Sequence, residues 1–353
     1  MNSDAIRLEE VQQPLQQPLR DDILALWERE QAVIPAIEER LAEVVAVAWS
    51  GDALAGVAST GVVQHPGIKQ PLFFMRAMVG SDYRKQGLAY LLHRRVVEIM
   101  EDRFDRGEDT RAIGVYVEVE RAHVQSLEEA FCSFSHVHSE QNRPVQFNLS
   151  GFTDDGFPQY IYYFEHASLI QQGPVIEPPS QRAELIEGAE IRFCLNELTS
   201  AQQQQIIGLW LTYGMLPDRD ACLKRLPQVL AVALEHGAII GVASAFTTEL
   251  EDLRAKMLGY RTFVSPDAKG GFYGTKLLAM VMDELNRRAK TEPQLKDIQG
   301  VAIALQNENL NKNVTRPRGG DVGTSLVGYL GDRQLRVIYF DGATVKMQQP
   351  SEP

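Results

Sequence analysis

The chain repeats itself across half its length. Ala46 to Ser59 reads AVAWSGDALAGVAS, and Ala231 to Ser244, at a numbering offset of 185, reads AVALEHGAIIGVAS, identical at eight of fourteen positions without a gap. A period that long is far beyond a solenoid repeat and matches an ordinary domain, so it marks duplication of a whole folding unit. The same offset carries Ile6-Arg7-Leu8 onto Ile191-Arg192-Phe193, Arg76 onto Arg261, Val79 onto Val264 and Asp82 onto Asp267. Each half ends on a similar apolar run, YIYYF from Tyr160 to Phe164 and RVIYF from Arg336 to Phe340. The 353 residues exceed the roughly 250 to 300 at which single cores stop growing, which also favours two domains. The expected organisation is residues 1–170, a linker over 171–190, and 191–345. The linker holds Gly173, Pro174, Pro178, Pro179 and Gly188, which break helices and strands alike.

Hydrophobic spacing gives the order of elements in one half. A helix is expected over Arg20 to Ala36, then strands Glu43 to Trp49 and Ala53 to Val63 joined at Ser50-Gly51-Asp52. A strand from Pro71 to Val79 leads through a polar turn, Gly80 to Gln86. An amphipathic helix marked by Leu88, Leu91, Leu92, Val96, Ile99 and Met100 follows. Next come a strand at Ala112 to Val119, a helical stretch around Ser126 to Phe134, and strands between Val145 and Phe164. The second half repeats the order, with its strand-loop-helix unit at Leu258 to Val264 and Tyr273 to Arg288. The fold class is therefore α+β: two tandem domains, each a mixed, mostly antiparallel central sheet flanked by helices.

The strand-loop-helix unit carries the most specific signal. Met78 to Leu92 reads MVGSDYRKQGLAYLL, whose centre Arg84-Lys85-Gln86-Gly87-Leu88-Ala89 opens the amphipathic helix. Free N–H groups at a helix start, helped by the helix dipole, make an anion site able to hold a pyrophosphate, and a glycine lets phosphate oxygens come close. This segment closely resembles motif A of the GNAT superfamily of N-acetyltransferases, R/Q-x-x-G-x-G/A, in a matching order of elements. The resemblance implies a GNAT-like fold in both halves and acetyl-CoA, or another acyl-CoA, as cosubstrate. Its pyrophosphate would lie on Arg84, Lys85, Gln86, Gly87, Leu88 and Ala89, and its pantetheine arm along the main chain of Met78 and Val79. The second half reads Lys269-Gly270-Gly271-Phe272-Tyr273-Gly274, with Phe272 in the place of the central glycine. Either Gly270 and Gly271 shift the turn by one residue, or this copy has lost the coenzyme.

Acyl transfer to an amine needs a base for the amine and a proton for the leaving thiolate. Glu118 and Glu120 alternate with valines, so both carboxylates and Tyr116 point to one face of the strand. A solvated strand face reads equally well. The resemblance implies a tyrosine acid after this strand, yet Ser126 to His136, SLEEAFCSFSH, contains none. His123, His136 and His138 offer bases near neutral pH but more often such histidines pack.

Composition removes other function classes. A net charge of −12 argues against nucleic acid or an anionic membrane as partner, and tolerates a cationic acceptor better. The N-terminus MNSDAIRLEE has no leader pattern, so a cytoplasmic location is expected. Cys132, Cys194 and Cys222 are odd in number and widely spaced, which reads as buried thiols, without a metal site. The expected activity is N-acetyl transfer from acetyl-CoA to a small-molecule or peptide amine, with no metal. The rivals are a non-catalytic acyl-CoA-binding scaffold and another acyl-CoA reaction on the same fold.

Overall fold

The computed structural model describes residues 6–119, 128–139, 141–170, 187–268, 272–306, 314–319 and 322–347. Contacts divide them into two compact units, drawn from Met1–Ser126 with Phe134–Ile170 and from Leu127–Ser133 with Gln171–Pro353.

In unit 1 the strands are β1 (Ile6–Glu10), β2 (Val44–Ser50), β3 (Ala53–His65), β4 (Gln70–Val79), β5 (Gly114–Glu118), β7 (Ser133–Val137), β8 (Pro144–Phe152) and β9 (Pro158–Tyr163). They form one sheet in the order β1-β2-β3-β4-β5-β9-β8-β7. Pairing is antiparallel from β1 to β4 and again across β5, β9 and β8, while β4 and β5 run parallel. Helices α1 (Gln17–Arg29) and α2 (Ile37–Ala42) cover one face, where Ile23, Leu26, Trp27 and Leu41 pack on Val44, Val47 and Val57. Helix α3 (Leu88–Asp105) buries Leu88, Leu92, Val96, Ile99 and Met100 at the 3.6-residue spacing of its apolar stripe.

Unit 2 repeats the plan with β10 (Ala189–Phe193), β11 (Val229–Glu235), β12 (Ala238–Leu250), β13 (Ala255–Val264), β14 (Gly300–Ala304), β15 (Arg318–Gly319), β16 (Thr324–Leu330) and β17 (Arg333–Tyr339). Their order is β10-β11-β12-β13-β14-β17-β16-β15. Its helices are α4 (Ser200–Thr212), α5 (Arg219–Arg225) and α6 (Tyr273–Ala289). A capping box closes the start of α4, Thr199 and Gln202 each bonding the other's backbone N–H. Thr344–Lys346 (β18) pairs with Glu129–Phe131 (β6), Val345 opposite Ala130.

The offset seen in the sequence holds position for position in β2, β3 and β4, since Ala53–His65 and Ala238–Leu250 have the same length and start at equivalent points. The first strand departs from it. Leu8 faces Ala48, and Ile191 faces Ala233, the counterpart of Ala48, so Leu8 matches Ile191 and the sequence alignment there is two residues off. A slip of two keeps every side chain on its own face, which is why the pattern could not detect it. A second correction concerns Ser126 to Phe134. Where a helix was expected, the described residues form the strands β6 and β7, because sheet partners are available to this aromatic-rich segment and override its weak helical spacing. Cys132, Cys194 and Cys222 are buried free thiols. Among the described residues no helix is long and apolar enough to cross a membrane.

Candidate active site

The parallel pair β4 and β5 registers at only two positions, Phe73 with Val115 and Phe74 with Tyr116. Beyond them the strands part, although β4 continues to Val79 and remains paired with β3 on its other edge. The last residues of β4 therefore turn an open main-chain edge toward the gap. Met78 and Val79 lie on this stretch, Met78 packed toward α1 and Val79 buried.

The chain leaves β4 through Gly80, whose N–H bonds Ala55 at 2.9 Å, and makes one 3₁₀ turn at Ser81–Tyr83. Glu30, at the end of α1, clips this loop. Its carboxylate accepts from the Ser81 N–H at 2.9 Å and pairs with Arg84 at 2.6 Å, and these contacts hold it below its ordinary value, the Ser81 N–H contributing most. Arg84 also donates Nε to the Val79 carbonyl at 3.1 Å, so its side chain braces the loop. Lys85, Gln86 and Gly87 stay exposed. Lys85 and Gly87 take left-handed conformations, φ 63° and 78°. Gly87 caps α3, and its carbonyl receives the first helical bond, from Leu91 at 3.1 Å. The N–H groups of Leu88, Ala89 and Tyr90 thus have no partner within the helix. Around Gly87 a Cβ would meet nothing within 4 Å, so glycine is required here by the backbone angle, and the space above it is open.

Glu118 sits where β5 ends, half-buried rather than solvated. The Tyr116 hydroxyl donates to its Oε1, and the Gln159 amide of β9 donates to both, at 2.5 Å to Tyr116 and 3.1 Å to Glu118. Burial, then the bond to Glu118 and its charge, hold the Tyr116 hydroxyl far above its ordinary value, so it stays a donor. His65 meets the Tyr116 ring edge-on at 4.9 Å. Its Nδ1 accepts from the Ile68 N–H at 3.2 Å, and burial pushes its pKa down to about 4, which keeps it neutral. On the face of α1 and α2, Arg76 lies over the Phe74 ring at 4.2 Å and pairs with Glu43 at 3.2 Å, which Arg40 also approaches at 3.5 Å.

Sequence reasoning thus placed Tyr116 and Glu118 on one face, and the structure brings them together. Glu120 and His123 lie outside the described residues. His136 and His138 are buried, with the His136 ring against Tyr90 and Phe147 and the His138 Nδ1 accepting the Gln141 N–H, so both serve packing. Gln159, His65 and Glu43 had no sequence signal, because each meets its partner from a distant part of the chain: Gln159 meets Glu118, His65 meets Tyr116 and Glu43 meets Arg76.

The corresponding region of unit 2 keeps the geometry and changes the residues. β13 and β14 register from Met257 with Gly300 to Gly259 with Ala302, then part. Since Gly259 matches Phe74, Ala302 stands for Tyr116, and two positions on Ala304 stands for Glu118. Phe272 caps α6 in the left-handed conformation, φ 45°, at the position of Gly87. The helix start is therefore unshifted. Lys269, Gly270 and Gly271 lie outside the described residues. The Tyr213 hydroxyl, in bonds to Asp267 and at 2.8 Å to Ser265, takes the place of the Glu30 clip.

Neither protein-family models nor curated proteins give a match to the chain. Solved structures similar to it are acetyltransferases of the GNAT family. A GCN5-related N-acetyltransferase from Sphaerobacter thermophilus is 14% identical over 99% of this chain and 98% of its own, with a TM-score of 0.27. A GNAT-family acetyltransferase from Streptococcus pneumoniae is 12% identical over 45% of this chain and 97% of its own, with a TM-score of 0.26. The yncA protein of Salmonella typhimurium, solved with its cofactor acetyl-CoA, is 16% identical over 47% of this chain and 98% of its own, with a TM-score of 0.29.

Proposed function

We propose that unit 1 is an acyl-CoA-dependent N-acyltransferase, in its simplest form an N-acetyltransferase acting on a small-molecule or peptide amine. One observation carries this reading: an open, glycine-capped helix start and a hydrogen-bonded carboxylate stand at the same parting of two parallel strands. The N–H groups of Leu88, Ala89 and Tyr90, with the exposed turn Lys85-Gln86-Gly87, form the cradle for a pyrophosphate. The alternation of the β3–β4 ladder turns the Met78 main chain toward Val57 of β3, so the free edge of β4 is offered by Ala77 and Val79, and the Val79 N–H, its carbonyl being held by Arg84, can bond an extended amide-bearing arm. Bound acyl-CoA supplies the activated thioester.

Glu118 accepts a proton from the acceptor ammonium, directly or through water. The freed amine adds to the thioester carbonyl, the C–N bond forms, the nitrogen gives up its second proton to water, the C–S bond breaks, and coenzyme A leaves as a thiolate that takes a proton. Tyr116 and Gln159 orient Glu118 and hold its inner oxygen, leaving the outer one for the acceptor. A thiolate is a tolerable leaving group, so the proton can come from solvent. Unit 2 has alanines at both positions and a phenylalanine at the cap, which favours a non-catalytic role for it. The test is release of free thiol from acetyl-CoA by the full chain across a panel of amines. Amine-dependent release that Glu118→Gln suppresses supports the reading, and coenzyme binding without release for any amine favours the scaffold alternative.

A further inference from the structure

Unit 2 keeps one feature of unit 1 while discarding those invoked above for transfer, and the way it is kept points to a ligand. Arg40, Glu43 and Arg76 of unit 1 have as counterparts, at the offset of the repeat, Arg225, Gln228 and Arg261. In unit 1 the guanidinium of Arg76 rests on Phe74 of β4, which pairs across the ladder with Gly61 of β3. In unit 2 the two residues of that pair have changed places. Gly259 stands on β13, Phe246 on β12 faces it, and Arg261 lies over the Phe246 ring at 4.1 Å. A Cβ on Gly259 would come within 2.6 Å of that ring, so one aromatic fits and two do not. The aromatic shelf under the arginine therefore survives by moving from one strand to its neighbour.

The charge around it has changed as well. In unit 1 Glu43 lies between the two arginines and Glu118 stands at the end of the adjacent strand. In unit 2 Gln228 supplies only a neutral oxygen, 2.7 Å from Arg261, and Ala304 replaces Glu118. Among the described residues neither Arg225 nor Arg261 enters an ion pair. Arg261 Nε is buried with no hydrogen-bond partner, and burial, followed by the nearby Arg225, pulls this guanidinium below its ordinary value. Arg225, on the helix before Gln228, stands 6.0 Å from the Trp210 ring; a guanidinium with an incomplete set of acceptors and a second positive charge in its vicinity costs stability, and a bound oxyanion would relieve both defects. Phe246 is 40% exposed, so the shelf is reachable.

We infer that Arg225, Arg261 and Gln228, on the Phe246 shelf, form a binding site in unit 2 for the carboxylate or phosphate group of a small ligand. The arginines supply the charge, Gln228 holds Arg261 in place, and the unit binds at this site without transferring. The site is independent of the activity proposed for unit 1.

The full chain, with its arginine Nε–H groups observed by ¹⁵N NMR, is titrated with succinate and separately with inorganic phosphate, chloride holding the ionic strength constant. The Arg261 signal is identified by its loss in Arg261→Gln. The expected result is a saturable shift of that signal, with affinity falling about tenfold or more in Gln228→Glu, which supplies an internal carboxylate of nearly the same shape. Arg225→Gln, a second variant should Gln228→Glu fold poorly, is expected to weaken binding to the same degree, and Arg76→Gln to leave it unchanged. Saturation by succinate alone identifies a carboxylate ligand, and by phosphate alone a phosphate. Shifts that never saturate for either anion, or binding that survives both Gln228→Glu and Arg225→Gln, would overturn the proposal.

Discussion

The two units share a backbone and differ in what stands at its chemically useful points. Gly87 against Phe272 at the helix cap, Glu118 against Ala304 at the strand end, and Glu43 against Gln228 beside paired arginines are substitutions on one frame. The left-handed cap is kept even where its residue is a phenylalanine, which costs about 1 kcal/mol relative to glycine. The left-handed angle is thus common to both helix starts, and a side chain stands on it only in unit 2. Frame and side chains have separated within one chain.

The same separation appears where the long helix meets the sheet. Glu101 of α3 is fully buried and accepts from the Tyr162 hydroxyl at 2.9 Å, from the Glu165 N–H at 2.8 Å and from the Arg143 guanidinium. Its counterpart Asn286 on α6 accepts the Asp341 N–H at 2.9 Å and donates to the Asp341 carboxylate at 2.9 Å. Both staple the helix to the residue just past the strand, one with a buried charge and one at the surface.

These contrasts can be broken one at a time. The largest effect is expected from Glu118→Gln, which should lower amine acetylation by about 10²- to 10⁴-fold with acetyl-CoA affinity unchanged. Removing the side chain that corresponds in unit 2, in Ala304→Gly, should leave the rate as it was; steady-state kinetics on both variants checks the pair. Next, Glu101→Ala should destabilise unit 1 by about 3 kcal/mol, because it takes the carboxylate from the buried Tyr162 hydroxyl, the Glu165 N–H and the half-buried Arg143 at once. Asn286→Ala should cost unit 2 only about 1 kcal/mol, and urea unfolding followed by unit-specific NMR signals separates the two.

An effect that is nil at neutral pH and grows on acidification is expected from His65. Its folded pKa of about 4 lies below the ordinary value of 6.5, so between them the unfolded chain binds the extra proton. Stability should therefore be full above about pH 6.5 and fall toward pH 4, by about 1.4 kcal/mol per pH unit at the steepest. His65→Gln should flatten that slope for unit 1. Smallest is the reciprocal cap exchange: Gly87→Ala should cost about 1 kcal/mol, and Phe272→Gly should recover a similar amount less the packing of the ring. Thermal unfolding of the two variants should show opposite signs.

The duplication, the sheet from β2 to β4 and the helix after it were legible in the sequence because apolar periodicity and a gapless repeat both report them. Where the pattern is its own translate it misled, as at Leu8 and Ile191, since a shift of two keeps the alternation. The helical spacing around Ser126 to Phe134 misleads for another reason: its first described strand, Glu129–Phe131, owes its form to Val345 and its neighbours, which come from far along the chain. At the site, Glu118 and Tyr116 were visible as an alternation, and Gly87 as a motif. The reason for Gly87 was only half legible, because a sequence does not print a φ of 78°. Gln159 and the exchanged pair Phe74–Gly61 and Gly259–Phe246 became readable only once strand register was known.

On the proposed function, unit 1 alone holds the coenzyme, and Gly87 leaves the space for it. Calorimetric titration of acetyl-CoA into the full chain and into Gly87→Trp tests it most directly. One site per chain is expected, disappearing in the variant while unit 2 remains folded. Two equivalent sites, or a single site that survives Gly87→Trp and is lost instead on changing Tyr273 or Gly274, would contradict it.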